Sequence, residues 1–115
     1  MSQVVINDVS LEFDMADYDF QVIYKNAFDK MGETEKELQK IGSVPDMTKE
    51  YCQMFYTLFD DLFGAGTGEK LFCGKYNTVA VENAYIEFLN AVDAQVKEIN
   101  AHRLKAANKY RPKKR

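Results

Sequence analysis

The sequence predicts a mostly α-helical fold, a short N-terminal β-hairpin followed by a three-helix bundle with a long C-terminal helix. Three observations carry that prediction. Residues 3–14 read as two short strands around a turn, and over Val9–Asp14 apolar and polar side chains alternate with a period of two, the pattern of a half-buried strand. Beyond Asp17, apolar residues recur every three or four positions, the spacing that lines one face of an α-helix. Glycine, proline and capping residues divide this helical pattern into three segments.

In the hairpin, Val9, Leu11 and Phe13 alternate with Ser10, Glu12 and Asp14, and Asn7-Asp8 is the expected turn. Asn and Asp tolerate positive φ, although the glycine favoured at the second turn position is missing. A lone two-stranded hairpin is marginal in water, so it is expected to lie on a helix or to pair with another chain's strand. The first helix is expected to start between Asp14 and Asp17, whose carboxylates suit free backbone amides. Its apolar face is read as Phe20, Ile23, Tyr24, Ala27, Met31, Leu38 and Ile41, with a weak point at Gly32 and an end at Gly42. Ser43-Val-Pro-Asp opens the second helix, where Tyr51, Phe55, Leu58, Phe59 and Leu62 form the expected centre of the core, widened by Cys52, Met54 and Phe63. Gly64-Ala-Gly-Thr-Gly ends it, with a single turn expected over Glu69–Cys73. Asn77 or Thr78 caps the third helix, which is expected to reach Ala107 on a face of Val81, Tyr85, Phe88, Val92, Val96 and Ile99. Pro112 would stop it, so the chain divides into one domain over 1–107 and a basic, flexible tail over 108–115.

Charge is distributed unevenly. Seven basic residues, Arg103, Lys105, Lys109, Arg111, Lys113, Lys114 and Arg115, lie in the last thirteen positions, which hold no acid. Residues 1–102 carry 8 basic against 18 acidic groups, a formal −10. An acidic body repels a phosphate backbone, which argues against the folded part as a nucleic-acid reader. The tail reads either as a solvated helix end or as a salt-sensitive tether for acidic protein or nucleic acid, with Tyr110 available to stack. The start of the chain lacks the basic and apolar regions of a signal peptide, and no apolar run is long enough for a membrane span. A cytoplasmic location follows as the expectation, with Cys52 and Cys73 reduced and read as small buried hydrophobes.

Candidate chemistry fails residue by residue. Gly64-Ala-Gly-Thr-Gly-Glu-Lys suggests a phosphate loop, but Glu69 follows Gly68, Leu71 follows Lys70, and a helix precedes the loop; it reads as a flexible inter-helix turn. The acidic clusters Asp14/Asp17/Asp19, Glu33/Glu35/Glu37 and Asp60/Asp61 lack the spacing of a calcium loop. They read respectively as helix caps, a solvated face, and a helix end facing water or a partner-facing charge pair. His102 is the single histidine and has no activating neighbour, so no metal, cofactor or catalytic set is assigned and no enzyme is expected.

Three stretches are similar to small proteins encoded in the tail-gene region of phages and prophages of Gram-positive bacteria. They are Val4-Val-Ile-Asn-Asp-Val-Ser-Leu-Glu-Phe-Asp, Phe59-Asp-Asp-Leu-Phe-Gly-Ala-Gly-Thr-Gly-Glu-Lys-Leu-Phe-Cys-Gly-Lys-Tyr-Asn and Lys109-Tyr-Arg-Pro-Lys-Lys-Arg. Proteins of this size and helical character there are often tail assembly chaperones. The resemblance implies a protein that binds the tape measure protein, keeps it soluble and helps tail-tube subunits gather on it. Core aromatics left over for such a surface would be Tyr24, Phe28, Tyr51, Phe55, Tyr85 and Phe88. A homo-oligomer is left open. The competing expectations are a structural component retained in the virion and a nucleic-acid-associated regulator acting through the basic tail.

Overall fold

The computed structural model describes residues 2–110, so Arg111, Pro112, Lys113, Lys114 and Arg115, and with them the expected stop and most of the basic tail, lie outside the described residues. Strands β1 (Ser2–Ile6) and β2 (Val9–Phe13) form a two-stranded antiparallel hairpin. Helices α1 (Tyr18–Leu38), α2 (Val44–Phe63), α3 (Thr67–Phe72) and α4 (Thr78–Tyr110) follow. The three long helices and the hairpin are those the sequence predicts.

The hairpin turns through Asn7 and Asp8, both at positive φ (50° and 66°), the geometry that matches strand twist in a two-residue loop. Its register pairs Ile6 with Val9 and Val4 with Leu11, which puts their side chains on one face. Ile6, Leu11 and Phe13 on that face are buried. The hairpin lies against its own helices: β1 packs on α4, and the Asn7 side-chain amide donates to the Leu71 carbonyl at 3.0 Å, which ties the turn to the end of α3.

Each of the three long helices starts where a side chain can accept from a free amide. Asp17 accepts from the Phe20 amide, Ser43 from that of Asp46, and Asn77 from that of Ala80. The helix α1 stops at Leu38, short of the expected Ile41. There the Lys40 and Ile41 amides bond back three residues, to Glu37 and Leu38, and this tightened turn directs the chain into α2. Gly32 does not break α1. Ile23 was expected on the apolar face but is 42% exposed, because the buried line runs through Phe20, Ala27 and Leu38 with Tyr24 and Met31 packed beside it.

The expected single turn at Glu69–Cys73 begins earlier, at Thr67, and the preceding loop is tied down at several points. The Thr67 hydroxyl donates to the Gly64 carbonyl, and the Gly68 amide donates to the Asp60 carboxylate at 2.8 Å. A Cβ on Gly68 would meet the Tyr56 Cα at 2.8 Å, so only glycine lets α3 approach α2 so closely. These contacts also correct the reading of the Asp60-Asp61 pair. Asp60 caps the neighbouring turn, and Asp61 pairs with Lys30 of α1 at 3.2 Å, which offsets two acids at the negative end of α2. Cys52 is buried as expected, whereas Cys73 is exposed because it ends α3 in the left-handed region.

Phenylalanine rings fill the centre. Phe88 of α4 lies within 5.3–5.9 Å, centroid to centroid, of Phe13, Phe59 and Phe63. Phe20 and Phe72 extend the cluster on either side. Such pairs contribute about 0.5–1.5 kcal/mol each beyond their burial. In α4 the buried line runs Val81, Ala84, Phe88, Val92 and Gln95, so Gln95 takes the inward place expected of Val96, which is 37% exposed. The buried Gln95 amide bridges the junction of β2 and α1. Its nitrogen donates to the Phe13 carbonyl at 2.9 Å, and its oxygen accepts from the Met15 amide at 2.8 Å.

Beyond Gln95 the helix leaves the body. It runs to Tyr110, so Asn108–Tyr110 are helical where a flexible tail was expected to begin. Every residue from Asn100 to Lys109 is exposed, including Arg103, Lys105 and Lys109. The radius of gyration is 17.8 Å and the longest extent 68 Å, where a compact chain of this length has a radius of about 13 Å.

Gln95→Leu keeps the volume of the side chain but orphans two backbone groups, each costing about 1–3 kcal/mol. A total loss of about 3 kcal/mol is expected in urea unfolding of the variant. A loss under about 0.5 kcal/mol would show that the bridge carries little stability.

Candidate functional site

The helix α2 packs closely on α1, α3 and α4, whereas α1 and α4 meet through large rings, with Phe28 and Tyr85 6.2 Å apart. This arrangement leaves a cleft of about 470 Å³ between the three long helices, open to solvent along one side. Phe28, Met31, Gly32 and Glu35 of α1, Tyr51, Met54 and Phe55 of α2, and Glu82, Tyr85 and Ile86 of α4 line it.

Four of the six residues expected to form a partner surface, Phe28, Tyr51, Phe55 and Tyr85, therefore come together in one cleft. The other two do not join it. Tyr24 lies one turn back along α1, half-buried between Phe28 and Phe88. Phe88 is fully buried, because its position on α4 points into the phenylalanine cluster, and it has no surface to offer. Phe55 is also largely buried, so it contributes a wall of the cleft more than its rim.

Packing sets the ring order. Phe55 stands edge-on to Tyr51 at 5.1 Å and to Tyr85 at 5.2 Å, which fixes both tyrosines across the cleft. The Tyr51 hydroxyl donates to the Glu82 carboxylate and joins α2 to α4 at the mouth. Burial raises the Tyr51 hydroxyl to about 12, helped by the bond to Glu82 and by the charges of Glu82 and Glu35. Burial also raises Tyr85, with Glu35 the further cause. Both phenols thus remain neutral donors beside two carboxylates. Among the described residues no lysine or arginine lines the cleft.

Met31, Gly32, Glu35, Met54, Glu82 and Ile86 were not picked out as site residues from the sequence. Two of them carry a signal there. Ile86 interrupts the polar face of α4 and is 53% exposed, and Gly32 removes a side chain where a good helix former would otherwise be expected. A Cβ on Gly32 would meet nothing within 4 Å, so the glycine leaves open space in the cleft.

A second depression lies beside Cys73, Asn7 and Asn83, between the hairpin turn, the end of α3 and the start of α4. Among the described residues no three His, Cys, Asp or Glu side chains gather where an ion could be held, and no helix is long and apolar enough to cross a membrane. The exposed His102 lies on the projecting part of α4, remote from the cleft along the helix.

The raised Tyr51 hydroxyl has a measurable consequence. Between its ordinary value of 10.0 and about 12, the folded chain holds a proton that the unfolded chain releases. Stability present below pH 10 is therefore expected to fall as pH rises through that window. Chemical unfolding across the window should show a smaller alkaline loss in Tyr51→Phe than in the wild type, with Tyr24, Tyr56 and Tyr85, also raised by burial, accounting for the remainder. Equal losses in the two proteins would dissociate the effect from Tyr51.

No curated protein and no solved structure matches the chain. A family model matches residues 7–115, nearly the whole sequence, and the chain belongs to that family, DUF6673, a family of unknown function.

Proposed function

We propose that this protein is a non-enzymatic adaptor or assembly chaperone that holds an apolar helical segment of another protein in the cleft between α1, α2 and α4. The observation that carries the reading is the convergence of Phe28, Met31, Tyr51, Met54, Phe55 and Tyr85 on one open cleft. Rigid aromatic walls supply contact area at low entropic cost. Two methionines let the floor adapt to different side chains. An amphipathic helix laid in such a groove presents residues at i, i+3, i+4 and i+7, a pattern that many sequences can satisfy. The net negative body discourages non-specific self-association while the apolar cleft remains exposed.

The resemblance of the hairpin, the Phe59–Asn77 stretch and the basic end to proteins of phage tail-gene regions supports a particular partner. On that reading the cleft takes apolar helical segments of a tape measure protein in the bacterial cytoplasm, keeps them soluble while tube subunits assemble, and is released from the finished particle. Residence in the mature virion is the competing outcome.

Gly32 provides the test. Gly32→Ala places a methyl in open space on a helix and is expected to stabilise the fold by about 0.5–1 kcal/mol in urea unfolding. Gly32→Leu puts a larger side chain into the cleft from the same position. Co-expression with the tape measure protein encoded nearby should yield a soluble complex with the wild type and little or none with Gly32→Leu, the latter remaining folded by circular dichroism. Equal capture by both would exclude the cleft as the interface, and absence of capture by the wild type would remove the chaperone reading.

A further inference from the structure

The cleft has an electrostatic character that an apolar helix alone does not satisfy. Glu35 and Glu82 stand on its rim, and among the described residues no cation lines it. Among the described residues the ion pairs join Lys25 to Asp29, Lys30 to Asp61, Lys36 to Glu33 and Lys40 to Glu37, so none neutralises either cleft carboxylate. Tyr51 donates a hydrogen bond to Glu82 but brings no positive charge. The occupant that fits is an apolar side chain flanked by lysine or arginine.

One segment of the chain has that chemistry. Leu104, 60% exposed, is bracketed by Arg103 and Lys105, with Lys109 one turn further on. Residues 103–115 hold seven basic groups and no acid, against a body of formal charge −10. The same copy cannot supply it. No glycine or proline interrupts α4 between Thr78 and Tyr110. At 1.5 Å per residue, Leu104 stands roughly 28 Å down the axis from Tyr85, and Tyr110 roughly 37 Å.

We infer that the cleft receives the basic arm of a second copy, with Leu104 seated between the cleft aromatics and the flanking Arg103, Lys105 and Lys109 facing Glu35 and Glu82. The inference rests on the reading of the cleft as a docking surface and names its occupant before a partner arrives. Arm exchange covers both the exposed apolar cleft and the projecting helix. Because the contact is largely electrostatic at its rim, it is weakened by salt and yields to a better apolar helix.

Sedimentation velocity of the full chain over a concentration series, in low and high salt, is the test. The wild type is expected to self-associate reversibly, and more strongly in low salt. Reversing the arm with Arg103→Glu, Lys105→Glu and Lys109→Glu alters only exposed side chains, so the fold is kept, and association should weaken by about tenfold or more. Glu35→Lys should do the same from the cleft side. Mixing the arm-reversed protein with Glu35→Lys should restore association, since the native arm of one meets the native cleft of the other.

A wild type that stays monomeric, an arm-reversed variant that associates as the wild type does, or a mixture with no recovery would each overturn the inference. The arm-reversed protein retains its cleft, so its capture of the co-expressed partner separates the two claims. Partner capture without self-association overturns the arm contact alone. Self-association that depends on the arm and Glu35, without partner capture, overturns the partner reading alone.

Discussion

The chain leaves β2 and reverses into α1 beside the cluster of phenylalanine rings, through residues that pass from half-buried to exposed. The Phe13 carbonyl and the Met15 amide both stand at this reversal. Gln95, eighty residues further along, bonds to both from one buried side-chain amide. A carboxylate could not donate to Phe13, and a hydrocarbon could do neither. The bridge fixes where α4 passes the hairpin, and with it the depth at which Phe88 enters the rings of Phe13, Phe59 and Phe63. The rest of the packing depends on that placement.

Ring size then decides the shape of the surface. Where α2 meets α3, glycine allows close approach, since Gly68 lies against the backbone of Tyr56. Where α1 faces α4, rings stand between the helices and hold them apart. A glycine of α3 on one side of α2 and the rings of α1 and α4 on the other thus produce a tightly closed flank and an open one. The open flank is the cleft, and its carboxylates lie beside tyrosines held neutral by burial. A single packing preference therefore accounts for both the stability of the α2–α3 corner and the availability of an apolar groove.

The projecting part of α4 follows different physics. Past Gln95 it buries little, so tertiary packing does not account for its helicity. Alanine, lysine, arginine, leucine and glutamate are good helix formers, and basic groups near the C-terminus suit the macrodipole. An arm maintained largely by local propensity is the part of the molecule most easily reorganised by a partner.

Much of the fold was legible because it rests on local rules. The period-two run of Val9, Leu11 and Phe13, the caps at Asp17, Ser43 and Asn77, and the glycine at position 64 each act through residues a few places apart, and the hairpin and three long helices follow from them. The tertiary structure alone decided which apolar residues became site and which became core. Phe88 and Tyr85 are three positions apart on one helix, yet one is sealed among rings and the other lines a cleft, because a difference of about 60° around the axis selects different neighbours. The same limit hid Gln95 behind Val96, the pairing of Asp61 with Lys30, and the capping of Gly68 by Asp60. In each case the deciding partner lies on another element, and periodicity along one helix carries no information about what stands opposite.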